Sequence, residues 1–300
     1  MKEQIEILPV SLLKQERPRV DDLRRLAGSL HLEFGWHYLL DLAWILRQLQ
    51  PRQGMLVVDA GAGVGVIQWY LVEQGADVIS VDRESRANLP AHFRLRYRVR
   101  GLRPEDLQRL QPVQSFSPGS REAIKRSVLG NAISGRSWVA GRLARTFDSQ
   151  QGEISIYNQD LRSLTDIPDC SVDVVVAVSA LEHNAPEQLG RVVAELLRVL
   201  KPGGPLLATL GAARDADWFH EPSQGWCYAE ASLRRVFGLS PEAPSNFARF
   251  DELFEQLRNC RELRENLAKF YFRSGDNGMP WGKWDPCYQP VGICKIKQDA

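Results

Sequence analysis

Residues 55–65 read MLVVDAGAGVG, and the fold turns on this stretch. An apolar run, Met55 to Val58, ends on Asp59 and passes straight into glycines at 61, 63 and 65. That is the pattern of a buried parallel strand opening into a glycine turn. Ile67, Tyr70 and Leu71 then carry a helix that stops at Gly75, and a second strand over residues 77–81 closes on Asp82. Strand, turn, helix and strand in so short a span form a βαβ unit. The glycines let backbone approach a ligand closely, because no Cβ intervenes and positive φ is open to them. The following helix presents unpaired N–H groups at its positive end. Asp82 lies 21 residues beyond Gly61, where a carboxylate can accept hydrogen bonds from both hydroxyls of a ribose.

Working outward, the first fifty residues read as a helical segment, with Leu39, Leu40, Ala43, Ile45, Leu46 and Leu49 at helical spacing and Pro51 as a stop. Strands are expected over residues 153–157, 172–178, 205–210 and 289–297. Between the second and third of these, a helix from Pro186 carries Leu189, Val192, Val193, Leu196, Leu197 and Leu200, and Lys201-Pro202-Gly203-Gly204 ends it. This alternation predicts an α/β, doubly wound, mostly parallel sheet over residues 51–300 with helices on both faces. Two additions interrupt it: an insertion over residues 83–152, and a helical pattern within residues 240–280 (Leu253, Leu257, Leu263, Leu267). Both are expected to pack as helical caps over the carboxyl edge of the sheet.

The turn separates two ligand classes. A dinucleotide fingerprint is GxGxxG; here Val66 holds the sixth position and the third glycine comes one residue early. As it stands, Asp59-Ala60-Gly61-Ala62-Gly63-Val64-Gly65 closely resembles motif I (D/E-x-G-x-G-x-G) of class I S-adenosylmethionine-dependent methyltransferases. Asp82 resembles that family's ribose-binding acid, and Asp160 with Leu161 its adenine-side motif. DVVVAVSALEH (residues 173–183) is similar to the fourth-strand motif of the small-molecule, type 11 branch, and ELLRVLKPGG (residues 195–204) to the helix and turn before the fifth strand. The resemblance covers residues 55–210. It implies a Rossmann-like sheet of the seven-stranded methyltransferase type, S-adenosylmethionine as cofactor and S-adenosylhomocysteine as product. It further implies that Gly61, Gly63 and Gly65 pass beneath the amino-acid part and ribose, and that Asp59 orients the turn and reaches the ammonium through water. Asp82 would hold the ribose hydroxyls, Arg83 flank the adenine, Asp160 and Leu161 bind its edge, and Ser179 with Ala180 lie near the sulfonium.

Methyl transfer from a sulfonium needs alignment above all, and a base only where the acceptor must lose a proton. His183, after the fourth strand, is the first candidate base, with pocket wall as its other reading; Glu182 is expected to orient loops or cofactor. His220 and Glu221, in an aromatic loop after the fifth strand, are the second candidates. His37 and Tyr38 could close over the cofactor's carboxylate end or pack in the core, and Trp281, Trp284 and Tyr288 could line the acceptor site or seal the sheet. No metal site is expected. Oxygen is the expected acceptor atom on a small or carrier-linked molecule, with nitrogen and carbon as alternatives. A non-catalytic cofactor- or partner-binding protein of the same fold competes with this reading, and an NAD-dependent oxidoreductase is disfavoured by Val66 and the KPGG turn.

Composition sets the outer limits. Hydrophobic residues at 44% and charged residues at 25% are ordinary globular usage, which disfavours collagen, coiled coil and disorder. The amino terminus is charged throughout and lacks a signal's apolar centre, and no run reaches the ~18 apolar residues of a spanning helix. Five scattered cysteines without a CxxC argue for free thiols and a cytoplasmic setting. The net charge of +1 conceals an asymmetry: residues 83–145 hold 14 Arg or Lys against 4 Asp or Glu, a local +10, leaving −9 elsewhere. Within it, RLRYRVR (residues 94–100) reads as an amphipathic basic strand or a basic hinge. An anionic acceptor or peripheral contact with an anionic membrane fits this charge; sparse aromatics disfavour nucleic acid.

Overall fold

The computed structural model describes residues 2–108, 150–274 and 279–298. Its strands, in chain order, are β1 (Gln4–Ile7), β2 (Leu56–Ala60), β3 (Asp77–Asp82), β4 (Arg98–Gly101), β5 (Glu153–Asn158), β6 (Val174–Val178), β7 (Pro205–Ala212), β8 (Trp218–His220), β9 (Gly225–Tyr228) and β10 (Gln289–Ile296). Its α-helices are α1 (Leu12–Gln15), α2 (Arg17–Leu30), α3 (Tyr38–Gln48), α4 (Val66–Glu73), α5 (Ala91–Arg96), α6 (Pro186–Val199), α7 (Glu230–Phe237), α8 (Phe250–Arg258), α9 (Arg261–Glu265) and α10 (Tyr271–Ser274).

The strands lie in one open sheet in the order β1-β10-β7-β6-β2-β3-β5-β4, with the β8–β9 hairpin attached to the end of β7. From β4 to β7 all pairings are parallel, and β10 runs antiparallel to both β7 and β1. The chain winds from β2 outward through β3 to β5, then returns past β2 to lay down β6 and β7. The order therefore reverses between β2 and β6, and the crevice beyond their carboxyl ends is where an open α/β sheet binds its ligand.

Both faces are covered, as an apolar central strand requires. Val57 packs with the helices of one face, Val58 and Ala60 with those of the other. On the first face α4 is buried along its whole length from Val66 to Val72, because Phe93 stacks on Trp69 at 4.6 Å and Tyr97 at 4.7 Å. On the other, Leu189, Val192, Val193 and Leu196 of α6 join Leu233 and Phe237 of α7.

The architecture is the expected doubly wound sheet, and it is longer than seven strands: ten are present among the described residues. Two of the extra strands are short edge strands, one in a segment read as helical and one in the stretch read as a basic strand or hinge. Gln4–Ile7 departs from the helical reading of the first fifty residues; its alternating burial and its pairing with β10 make it an edge strand. The basic stretch 94–100 divides at Tyr97, which is fully buried with its hydroxyl donating to Glu73 at 2.7 Å. Arg96 ends α5, while Arg98 and Arg100 point to solvent from β4 at the opposite edge. The helical pattern at the carboxyl end falls into three short helices, and Glu262 ties them to α2 through a bidentate contact with Arg17 at 2.6 and 2.7 Å. Most of the basic insertion, residues 109–149, lies outside the described residues. No described helix is long and apolar enough to cross a membrane.

Candidate active site

At the reversal point between β2 and β6 a cavity of about 510 Å³ opens. The glycine turn forms its floor, Asp82 and Arg83 one rim, Asp160 and Leu161 the next, and Ser179, Ala180 and His183 the β6 side. Tyr38 and Leu42 of α3, with residues 32–34 before it, form the roof.

The turn is shaped by contacts that exclude side chains. Gly61 has φ 75°, and a Cβ there would stand 2.4 Å from the Ala180 Cβ, so the turn and the β6 loop touch only because residue 61 has none. Gly63 has φ 47° and nothing within 4 Å of where its Cβ would project. Its N–H donates to Asp82 Oδ2 at 2.8 Å, and the Glu84 N–H donates to Oδ1 at 2.8 Å. A carboxylate has room for about four hydrogen bonds, so Asp82 keeps acceptor capacity on the rim.

Asp59 sits beneath the turn, 1% exposed, with Oδ2 lacking a hydrogen-bond partner. Burial pushes its pKa up to about 7; the Arg86 charge opposes this and Asp82 adds to it. An orphaned buried carboxylate oxygen, an open glycine face and a half-satisfied rim acid form an acceptor-rich set. That set fits a ligand bearing hydroxyls and a cationic group, as S-adenosylmethionine does.

Asp160 accepts from the Arg162 backbone N–H at 2.8 Å and its guanidinium at 2.9 and 2.6 Å, and this pairing holds its pKa below the usual carboxylate range. Ser179 has φ 47°, unusual for a residue with a Cβ, and its N–H is held by the Thr209 carbonyl at 3.1 Å. Its hydroxyl donates to Glu182 Oε1, while Glu182 Oε2 is buried without a partner. Burial raises the Glu182 pKa.

His183 Nδ1 lies 3.0 Å from the carbonyl oxygen of Gln224. A carbonyl only accepts, so Nδ1 carries the proton and Nε2 is left as the ring's acceptor. Gln224 aims that carbonyl from a left-handed conformation, φ 52°, at the mouth of the β8–β9 hairpin.

Other candidates stand apart from the cavity. His220 does not line it: its Nδ1 accepts the Ser223 N–H at 3.3 Å as a local cap, its ring abuts Tyr288 at 5.2 Å, and burial lowers its pKa. His37 is buried against Asp41 at 2.7 Å, behind the roof that its neighbour Tyr38 forms. Trp284 donates to the Arg258 carbonyl at 2.8 Å and Trp281 is 68% exposed, so neither lines the cavity. No cluster of three or more potential metal ligands occurs among the described residues. Sequence reading missed the roof residue Phe34 and the buried supports Gln68, Ser80 and Arg86. Gln68 could have been noticed as a lone amide in an apolar helix.

Residues 127–208 match the model of a family described as a methyltransferase domain, a stretch that includes β5, β6 and α6 and begins within the undescribed segment. The glycine turn and Asp82 lie outside the matched stretch. Among solved structures, the chain is similar to the cyclase SpnF at 14% identity, covering 100% of both chains with a TM-score of 0.50. It is also similar to the Burkholderia thailandensis 1,6-didemethyltoxoflavin-N1-methyltransferase (13% identity, 96% of this chain and 86% of that one, TM-score 0.40). A third is the Haemonchus contortus phosphoethanolamine N-methyltransferase 2 (14% identity, 96% and 60%, TM-score 0.45). At 14% identity the likeness to SpnF speaks to the fold alone. No curated protein matches the sequence. The chain thus carries a match to a methyltransferase domain over residues 127–208, on a fold shared with the solved structure of SpnF.

Proposed function

We propose that the chain methylates a hydroxyl oxygen of a small or carrier-linked acceptor, with His183 receiving the hydroxyl proton. The observation that carries this reading is the bond from His183 Nδ1 to the Gln224 carbonyl beside the cavity that His183 lines, which commits Nδ1 as donor and reserves Nε2 for accepting a proton. An amine acceptor arriving unprotonated would need no such base; a hydroxyl does. Bound S-adenosylmethionine supplies an electrophilic methyl group on a sulfonium. Asp82 holds the ribose hydroxyls, Asp160 and Leu161 the adenine with Arg83 beside it, and Asp59 the ammonium, over the backbone of Gly61, Gly63 and Gly65. Ser179 and Ala180 shape the wall beside the reacting centre, and the roof from Phe34 to Leu42 excludes water.

An anionic acceptor remains part of this reading in narrower form. Arg96 is bound to Glu73 at 2.8 Å and Arg100 is paired with Glu153; of the arginines lining the cavity, Arg162 is held by Asp160 at 2.6 Å and Arg83 more loosely by Glu84 at 3.9 Å, so Arg83 is the one we propose for a negative group. Free cysteines at the surface, Cys170 and Cys287, suit a reducing, cytoplasmic setting.

The test is transfer of a labelled methyl group to a panel in which each hydroxyl compound is paired with its amino counterpart. Label in an ether or ester of the hydroxyl members is expected. Label confined to the amino members overturns oxygen as the acceptor atom. Cofactor binding without transfer to any member favours the non-catalytic reading.

A further inference from the structure

Beneath the glycine turn lies a cation that belongs to none of the sequence motifs. Arg86 follows Asp82 by four residues and is 7% exposed. Its backbone N–H is anchored by Asn158 Oδ1 at 2.9 Å. Its guanidinium donates to the carbonyl oxygens of Gly63 at 3.1 Å, Ser80 at 2.6 Å and Tyr157 at 3.2 Å, and to the Ser80 hydroxyl. One side chain thus joins the turn, β3 and β5. Asp82, Asp59 and Asp106 act on it through space, yet its described hydrogen bonds go to carbonyls and a hydroxyl. Burying a guanidinium costs several kcal/mol, which neutral partners alone repay poorly.

We propose that Arg86 is the positioning residue of the cofactor turn, clamping the Gly63 carbonyl from below and supplying the positive charge that Asp59 and Asp82 face. This rests on reading the cavity as the cofactor site. The Gly63 peptide is then held at both ends, its carbonyl by Arg86 and the N–H of the same residue by Asp82. Gln68 reinforces the arrangement from α4: its amide nitrogen reaches the Gly65 carbonyl at 3.1 Å, and its oxygen accepts from Ser80 at 2.6 Å. The charged groups acting on Asp59 are Arg86 and Asp82; its strand neighbours, Ser80 on β3 and Val176 on β6, are uncharged. Removing the Arg86 charge therefore raises the Asp59 pKa above its value of about 7. Cofactor binding that needs an ionised Asp59 moves to higher pH with it.

Binding of S-adenosylhomocysteine to the full chain, measured calorimetrically on both sides of neutrality, tests this without any turnover. In the wild type, affinity should fall as pH drops through about 7. Arg86→Gln should bind about ten-fold or more weakly at neutral pH, with the pH break displaced upward. Arg86→Lys, which restores the charge without the fork, should keep the wild-type break at intermediate affinity. Wild-type affinity in Arg86→Gln, or a loss equal at every pH, overturns the proposal. Should the glutamine variant fail to fold, the lysine variant and the wild type decide: a break absent from the wild type, or displaced in Arg86→Lys, overturns it as well. A wild type that binds at no pH overturns the cofactor reading itself, a result distinct from the others.

Discussion

The backbone N–H of Gly63 donates to Asp82 Oδ2 at 2.8 Å, so the glycine turn after β2 and the acid at the end of β3 form one unit. Asp82→Ala removes that brace together with the proposed ribose acceptor. A hydrogen bond to a charged group contributes about 1.5–3 kcal/mol, so S-adenosylhomocysteine affinity should fall by about ten-fold to a hundred-fold or more. Calorimetry on the folded variant checks this, and unchanged affinity would remove Asp82 from the site.

Gly61→Ala places a Cβ 2.4 Å from that of Ala180, in a backbone with φ 75°. Overpacking and left-handed strain together should cost about 2–5 kcal/mol. Adding Ala180→Gly relieves the clash and leaves the strain, so the double variant should recover part of the lost thermal stability. Equal melting of the single and double variants would contradict the contact.

Asp59→Asn should separate stability from binding. A carboxylate whose pKa is raised on folding holds its proton more tightly in the folded chain, so its ionisation destabilises the fold as pH rises from about 4 to about 7. The asparagine variant without ligand should therefore melt higher than wild type at alkaline pH, with the difference shrinking on acidification. Its cofactor affinity should drop. A melting difference independent of pH would show that Asp59 is ordinary in its ionisation.

His183→Ala should leave S-adenosylhomocysteine affinity within a few fold of wild type and lower turnover of a hydroxyl acceptor by about 10²–10⁴. The rate lost should be largest at neutral pH and smaller in alkali, where the hydroxyl ionises without help. Equal turnover by the variant would return His183 to the pocket wall.

Arg96→Gln and Arg100→Gln each break a pair with a partly exposed acid, Glu73 and Glu153 respectively. Such pairs contribute about 0–1 kcal/mol, so small losses of thermal stability are expected with cofactor affinity unchanged. A selective loss of acceptor turnover would instead give these arginines a part in acceptor binding.

How much of this was legible beforehand follows from where each signal sits in the chain. The stretch from Met55 to Asp82 encodes its own structure locally: apolar strands, glycines that alone tolerate a left-handed turn in contact with Ala180, and an acid one strand away. Local steric and hydrophobic patterning is readable from order alone, and it set the fold class, the parallel winding and the rim residues. The edge strand β1 was not readable, and β4 was open between strand and hinge, because a four-residue strand owes its existence to the partner that lies beside it, β10 or β5, far away in sequence. The same reason separates the two histidines: His183 and His220 look alike as residues after strands, and only packing gave one the Gln224 carbonyl in a cavity wall and the other a serine cap beneath Tyr288. Arg86 is the sharpest case. In sequence it is one of fourteen basic residues in an insertion; in the folded chain it is a buried charge bonded to three carbonyls and a hydroxyl, with Asp82, Asp59 and Asp106 acting on it through space. Burial and through-space charge depend on distances that chain order does not contain, so the sequence by itself determined the scaffold and its glycine turn, while the tertiary structure decided which side chains are buried, held and brought together.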